Sequence, residues 1–130
     1  MDQVTGGCLC GNVRLTATGE PYRVGLCHCL DCRKQSGSLF NASAIFPADA
    51  VTITGETRAF KGRSFCSNCG SSVFGRSGDE VEVSLGALNE TDQFAPTYEL
   101  WMIRREGWLP AFTSLHAYDM DRESTARCET

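Results

Sequence analysis

Long apolar segments are missing from this sequence. No apolar run approaches the roughly 18 to 20 residues that a membrane-spanning helix requires. The first residues also lack the basic and apolar regions of a secretory signal peptide. Positive charge is scarce too, because 12 lysines and arginines stand against 16 aspartates and glutamates, for a net charge of −4. We therefore expect a cytoplasmic protein that binds neither membranes nor nucleic acid.

Internal repeats and low-complexity linkers are absent as well. The 130 residues are 42% hydrophobic and 22% charged, which is ordinary for a soluble globular protein. The sequence thus predicts a single domain over residues 1–130, with a core at about 6–112. The polar residues 119–130 are expected to form a surface helix or a loose tail.

Short strand-like segments separated by glycine turns dominate the chain and favour a mainly β domain. Residues 51–54 and 57–61, with Gly55 and Glu56 between them, predict a β-hairpin. After Cys29, residues 30–36 contain neither glycine nor proline and precede Gly37, which predicts one or two helical turns. The remaining predicted strands are residues 13–18, 22–26, 39–46, 63–65, 81–85 and 98–103.

Eight cysteines are the most informative feature of the composition. Seven of them fall into three clusters, and Cys128 stands alone near the C-terminus. Disulfides are one interpretation of an even number of cysteines, but thiols in the cytoplasm stay reduced. Pairs spaced C-x-C and C-x-x-C also place sulfurs close enough to share one ion. Metal binding is therefore the better account, and Cys128 is taken as an incidental thiol.

Two pairs of cysteines predict a structural zinc site with four protein ligands. Cys8 and Cys10 lie between glycines, and Cys66 and Cys69 precede Gly70, as in a zinc knuckle. The alternative is four buried thiols that serve as small apolar residues. The predicted ligands are Cys8, Cys10, Cys66 and Cys69.

The middle cluster predicts a second zinc site with catalytic potential. Cys27, Cys29 and Cys32 offer three thiolates and leave one position for water, a substrate thiolate or another side chain. His28 is an alternative fourth ligand, but a side chain between two ligating cysteines is expected to point away. The predicted catalytic residues are thus Cys27, Cys29 and Cys32.

The cysteine motifs and their neighbours resemble the family of glutathione-dependent formaldehyde-activating enzymes, which includes centromere protein V. The matching motifs are Gly7-Cys8-x-Cys10-Gly11, Cys27-His28-Cys29-x-x-Cys32-Arg33-Lys34-x-Ser36-Gly37 and Phe65-Cys66-x-x-Cys69-Gly70-Ser71. The resemblance implies an Mss4-like fold, or β-tent, of small antiparallel sheets with zinc knuckles and a short helical turn. It also implies two zinc ions per chain, one structural and one at the three-cysteine site.

The same resemblance implies a carbon–sulfur lyase that condenses formaldehyde with glutathione to S-hydroxymethylglutathione. The partners would be a small-molecule thiol such as glutathione and an aldehyde, with Arg33, Lys34, Ser36 or Arg104 holding carboxylates. Glu99 stands where family members often carry a histidine. Glu99 and His28 are candidate general bases, although surface or packing roles are favoured for both.

Two other functions remain open. One is a zinc-stabilised binding module without turnover, in which aromatic residues between Trp101 and Phe112 form a partner surface. The other is a thiol- or metal-responsive protein that releases zinc when the middle cluster is oxidised.

Overall fold

Short β-strands make up most of the structure, a computed structural model that describes residues 2–123 and 128–129. None of the helices within these residues is long and apolar enough to cross a bilayer. The elements are β1 (Gln3–Gly7), β2 (Arg14–Thr18), β3 (Arg23–Cys27), α1 (Leu30–Ser36), β4 (Asn41–Pro47), β5 (Val51–Thr54), β6 (Thr57–Phe60), β7 (Arg63–Cys66), β8 (Ser72–Ser77), β9 (Glu80–Ser84), β10 (Tyr98–Leu100) and β11 (His116–Ala117), with 3₁₀ turns at Ala48–Ala50, Leu85–Ala87 and Met102–Arg104.

The strands form two sheets. A three-stranded sheet has the order β1-β2-β5, and an eight-stranded sheet has the order β11-β10-β3-β4-β9-β8-β7-β6. Most neighbours pair antiparallel, whereas β10 pairs parallel with both β3 and β11. The main hydrophobic core includes Val13 and Leu15, which lie just before and within β2. It also includes Phe46 from β4 and Val81 and Val83 from β9. The expected mainly β architecture with antiparallel sheets and one short helix is confirmed.

The predicted helix after Cys29 is confirmed with its boundaries. Helix α1 spans Leu30–Ser36, and Gly37 follows in the left-handed conformation with φ of 67°. Glycine adopts this conformation without a steric penalty, and its amide donates a hydrogen bond to the Arg33 carbonyl, which closes the last turn.

The predicted hairpin between residues 51–54 and 57–61 is wrong. Strand β5 pairs with β2 in the smaller sheet, and β6 pairs with β7 in the larger one. Gly55 has φ of 100°, and a Cβ there would lie 2.1 Å from the carbonyl oxygen of Asn12. Only a glycine allows this close approach to the chain before β2. Gly55 therefore lies where the chain passes from the smaller sheet to the larger one, rather than in a hairpin turn.

Residues 116–121 lie along β10 and the turn that follows it. The amides of Trp101 and Met102 donate to the carbonyls of Met120 and Tyr118, at 3.1 and 3.0 Å. Cys128 is buried farther along the chain. The expectation of a surface helix or loose tail is therefore wrong for residues 119–121 and 128–129, whereas for the exposed residues 122 and 123 it stays a prediction. Its remaining part, residues 124–127 and 130, lies outside the described residues.

Candidate metal centres

The first cysteine cluster lies where the two sheets meet. Cys8 and Cys10 occupy the turn between β1 and β2, while Cys66 ends β7 and Cys69 lies in the turn before β8. Their four sulfurs lie within 4.8 Å of one another. The sulfur of Cys10 is 3.5 Å from that of Cys8 and 3.7 Å from that of Cys66. The structure thus brings together the four cysteines predicted for the structural site.

Backbone amides point at the sulfurs of this first cluster. The amide of Val13 donates to Cys8 Sγ at 3.1 Å, and the amide of Asn68 donates to Cys66 Sγ at 3.3 Å. The hydroxyl and the amide of Ser71 lower the pKa of the Cys69 thiol to about 5. Such donors stabilise a thiolate, which is the form that binds a metal ion.

The second cluster surrounds the start of α1. Cys27 ends β3, Cys29 precedes the helix as its N-cap, and Cys32 lies in the first turn. The amide of Cys32 donates to Cys29 Sγ at 3.2 Å. Hydrogen bonds with the neighbouring thiols of Cys128, Cys27 and Cys32 lower the pKa of Cys29. Hydrogen bonding to Cys128 is also the main reason that the pKa of Cys27 is raised. A lowered pKa favours the thiolate of Cys29, which is the form that binds a metal ion.

Cys128 is the fourth member of the second cluster. Its sulfur lies 3.8 Å from Cys27 Sγ, and the four sulfurs of this cluster also lie within 4.8 Å of one another. The expectation of an incidental Cys128 thiol is therefore wrong. The sequence left the fourth position open to water, a substrate thiolate or another side chain, and the structure brings the Cys128 thiol to the cluster. Cys27, Cys29 and Cys32 are close together in the sequence, whereas Cys128 is 101 residues from Cys27. No sequence motif links it to the others.

A charged cavity of about 580 Å³ adjoins the second cluster. Cys27, Cys32 and Cys128 contribute to its wall, while Cys29 is fully buried behind them. Acidic side chains line the cavity too, and one of them, Glu80, pairs with Arg23 at 2.7 Å. The cationic side chains of the wall are Arg23, Lys61, Arg63, Arg76 and Arg122.

Residues 3–104 match the family model described as glutathione-dependent formaldehyde-activating enzyme. This match covers most of the chain and includes seven of the clustered cysteines, but it ends before Cys128. The chain belongs to this family. The resemblance inferred from the cysteine motifs is therefore confirmed.

Curated relatives of this family member agree with the assignment. A protein of Talaromyces marneffei, named for glutathione-dependent formaldehyde activation, is 30% identical over 77 residues, which cover 53% of this chain and 41% of the relative. A lyase of Schizosaccharomyces pombe, named as uncharacterized, is 30% identical over 79 residues, covering 57% of this chain and 58% of the relative. The chain thus spans about half the length of the curated relatives that it matches.

The fold also resembles a solved structure. A crystal structure of a Rhodobacter sphaeroides protein superposes with a TM-score of 0.54 and 17% identity. The superposition covers 68% of this chain and 91% of the other. At this identity the similarity concerns the fold.

The predicted carboxylate-binding residues of this family member lie apart from the charged cavity. Arg33 Nη2 donates to Glu106 at 2.7 Å, and Ser36 Oγ donates to the Cys32 carbonyl within α1 at 2.6 Å. Lys34 and Ser36 line a different cavity of about 570 Å³, and Arg104 pairs with Glu129 at 2.9 Å. None of these four is among the described residues that line the cavity at the second cluster. Their role in substrate binding stays a prediction.

His28 and Glu99 form a buried pair beside the second cluster. Both are almost inaccessible, and His28 Nε2 lies 2.9 Å from Glu99 Oε1. Arg105 Nε donates to the same oxygen at 3.3 Å. His28 belongs to neither group of clustered ligand atoms in the described part of the chain. Their burial contradicts a surface role and agrees with a packing role, while a role as general base stays a prediction.

Proposed function

We propose that this protein is a zinc-dependent enzyme of the carbon–sulfur lyase type that joins a thiol such as glutathione to formaldehyde or a related aldehyde. One observation carries the proposal: the second cysteine cluster forms part of the wall of a large cavity that also bears several cations. Membership of the family supports the same reaction class.

The sulfur geometry of both clusters suits zinc. A tetrahedral zinc ion with Zn–S bonds of about 2.3 Å needs sulfurs separated by roughly 3.8 Å. The Cys8–Cys10, Cys10–Cys66 and Cys27–Cys128 separations of 3.5, 3.7 and 3.8 Å lie close to this value. Zinc at the second cluster would be held by Cys27, Cys29 and Cys32 with a fourth donor. When bound, it would favour the ionised form of a nearby thiol.

The cavity wall offers groups that can orient a thiol carrying carboxylates. Arg63 lies near the cysteine sulfurs, and although burial lowers its pKa, the charges of Cys32, Cys128 and Cys29 raise it overall. Arg76 and Arg122 lie on the same wall. Guanidinium groups bind carboxylates through paired hydrogen bonds, so these arginines can hold a tripeptide with its sulfur toward the cluster.

The reaction itself needs a single new bond. The thiol sulfur bonds to the carbonyl carbon, the carbonyl π electrons move to oxygen, and the proton lost by the thiol ends on that oxygen. Residues of the cavity contribute by holding the thiol and the aldehyde together, which replaces an encounter between two molecules. The reverse reaction breaks the same carbon–sulfur bond.

Exchange between free glutathione and S-hydroxymethylglutathione tests this function, because the uncatalysed reaction sets a measurable background. We expect the zinc-loaded protein to accelerate NMR magnetisation transfer between the two species, and Cys27→Ser to remove the acceleration. Arg63→Met should raise KM by about tenfold and change kcat less, since a carboxylate contact is lost.

Glu90→Ala is the matched control, because Glu90 is exposed and lies outside both the cluster and the cavity. Metal content and circular dichroism establish that each variant is folded. The proposal would be ruled out if the zinc-loaded protein left the exchange at its uncatalysed rate, both for glutathione with formaldehyde and for other pairs of thiol and aldehyde.

A zinc-stabilised protein without turnover is the second candidate function. The observation in its favour is Cys128, because four protein thiols around one ion are typical of structural zinc sites. This candidate predicts that Cys128 stays bound under all conditions, including high concentrations of thiol.

A thiol- or metal-responsive role predicts instead that oxidation of the second cluster releases its metal ion.

A further inference from the structure

The C-terminal residues bring a thiol of the chain itself to the second metal centre. Cys128 is 8% exposed, and it packs in a small cluster with Cys29, Cys32 and Trp101. Its sulfur lies 3.8 Å from Cys27 Sγ. Because residues 3–104 match the family model, Cys128 lies outside the part of the chain that is shared with it. The fourth thiol is therefore a feature of this chain beyond that match.

The residue after Cys128 holds this thiol in place. Glu129 pairs with Arg104 at 2.9 Å, and its carboxylate also accepts the Leu30 amide at 3.0 Å. The Glu129 amide donates to Asp31 Oδ2 at 2.7 Å. Three contacts to α1 and Arg104 thus dock Cys128 onto the cluster.

Residues near the C-terminus also border the cavity. Arg122, Glu123 and Cys128 all contribute to its wall. A substrate thiol that reaches the second cluster from this cavity meets Cys128 at the cluster. The four sulfurs of the cluster already satisfy the ligand number of zinc, so an external thiol needs one of them to leave.

We propose that Cys128 is the fourth ligand of the second centre and an internal competitor of the substrate thiol, which displaces it. This inference rests on the proposed function for the identity of the thiol. Cys128 leaves as a neutral thiol and takes the proton that the external thiol gives up as it enters as a thiolate. The cluster therefore keeps four sulfur donors and an unchanged charge, which makes the exchange nearly balanced.

Cys128 is the ligand best placed to leave. Cys27, Cys29 and Cys32 belong to β3 and α1 or to the N-cap between them, where backbone hydrogen bonds hold them. Cys128 is held by the contacts of Glu129, which lie at the side of the cluster and break without disturbing a strand or a helix. Displacement of Cys128 thus costs little of the fold.

Alkylation of the zinc-loaded protein by iodoacetamide, followed residue by residue with mass spectrometry, tests the exchange without requiring turnover. We expect Cys128 to react slowly alone and at least tenfold faster with millimolar glutathione, while Cys27, Cys29 and Cys32 stay protected. S-methylglutathione has the same charges but no free thiol, and it should leave Cys128 protected.

Each other outcome of the alkylation overturns the inference. Rapid labelling of Cys128 without glutathione means that it is not a ligand, and protection at every glutathione concentration means that it is a fixed one. Labelling of the whole cluster means that glutathione strips the metal ion. Equal labelling with S-methylglutathione means that peptide binding, rather than thiol exchange, moves the C-terminal residues.

Two variants make the test independent of labelling. In cobalt-substituted protein, Cys128→Ser should weaken the sulfur-to-cobalt charge-transfer absorption, and glutathione should restore it.

Glu129→Ala should lower the glutathione concentration that exposes Cys128 by about tenfold, since charge-assisted hydrogen bonds are lost. Glu90→Ala should leave that concentration unchanged. If thiol exchange occurs but no aldehyde reacts, the proposed function fails and the role of Cys128 stands.

Discussion

At the scale of single residues, the contact between His28 and Glu99 ties the second cluster to β10. Glu99 Oε1 accepts hydrogen bonds from His28 and Arg105, and the side chains of all three residues are largely buried. The amide of His28 also donates to the Leu100 carbonyl at 3.0 Å. His28 lies between Cys27 and Cys29, so this network positions the loop that carries two of the clustered thiols.

Replacement of Glu99 tests the importance of this network. Glu99→Ala leaves a ring nitrogen of His28 without its buried partner and removes one acceptor of the Arg105 guanidinium, which keeps the carbonyls of Leu109 and Pro110. We expect a loss of about 1–3 kcal/mol in the free energy of unfolding, measured by urea denaturation of the zinc-loaded protein. Glu99→Gln keeps one oxygen acceptor and should lose less.

The matched control is Glu90→Ala at an exposed site, with an expected change within about 0.5 kcal/mol. A loss no larger for Glu99→Ala than for this control would show that the network contributes little to stability.

At the scale of elements, the parallel pairing of β10 with β3 requires a residue without a side chain at Gly25. Tyr98 is opposite Gly25 in the register, and a Cβ at Gly25 would lie 2.2 Å from the Tyr98 ring. The tyrosine ring thus covers β3 because Gly25 leaves room for it. This pairing places β10, and with it Glu99 and Trp101, beside the second cluster.

Gly25→Ala should therefore destabilise the protein by about 1–3 kcal/mol through steric overlap. Gly86→Ala provides the comparison, because no atom lies within 4 Å of a Cβ built at Gly86. Thermal unfolding of both variants measures the difference. In a double-mutant cycle, Gly25→Ala should destabilise the Tyr98→Leu variant less than it destabilises the parent. If the stability losses of the two single variants simply add in the double variant, the overlap between the methyl group added at position 25 and the Tyr98 ring is not the cause.

At the scale of the whole molecule, the first cysteine cluster joins the two sheets. Cys8 and Cys10 follow a strand of the three-stranded sheet, whereas Cys66 and Cys69 lie at strands of the eight-stranded sheet. The second cluster joins β3 and α1 to the C-terminal residues. A metal ion at the first cluster would therefore link the two sheets, and one at the second cluster would link Cys128 to β3 and α1.

Metal removal should unfold the protein under reducing conditions. Structural zinc contributes about 10–16 kcal/mol in small zinc domains, which equals or exceeds the roughly 5–15 kcal/mol of net stability typical of a domain. We expect a chelator to abolish the thermal transition seen by circular dichroism. Cys10→Ser should resemble the chelated protein, whereas Cys128→Ser should melt close to the parent.

Readdition of zinc serves as the control for irreversible damage to the chelated protein. Melting of the metal-free protein within a few degrees of the loaded protein would mean that the sheets are held by their hydrophobic core alone.

Local patterns in the sequence determined much of this protein. Alternating residues predicted most of the strands, and the run from Leu30 to Gly37 predicted α1, because strand and helix preferences depend on neighbours along the chain. The paired spacings of Cys8 with Cys10 and of Cys66 with Cys69 likewise predicted one complete cluster. Each of these signals lies within a few residues.

Only the tertiary structure decided which distant segments meet. It assigned β5 and β6 to different sheets, whereas Gly55 and its neighbours in the sequence predict a hairpin turn. It paired His28 with Glu99 across 71 residues and brought Cys128 to Cys27 across 101. Such contacts follow from sheet pairing and from the packing of the chain end, and no local spacing encodes them. The fourth cysteine of the second cluster could therefore be recognised only in the folded chain.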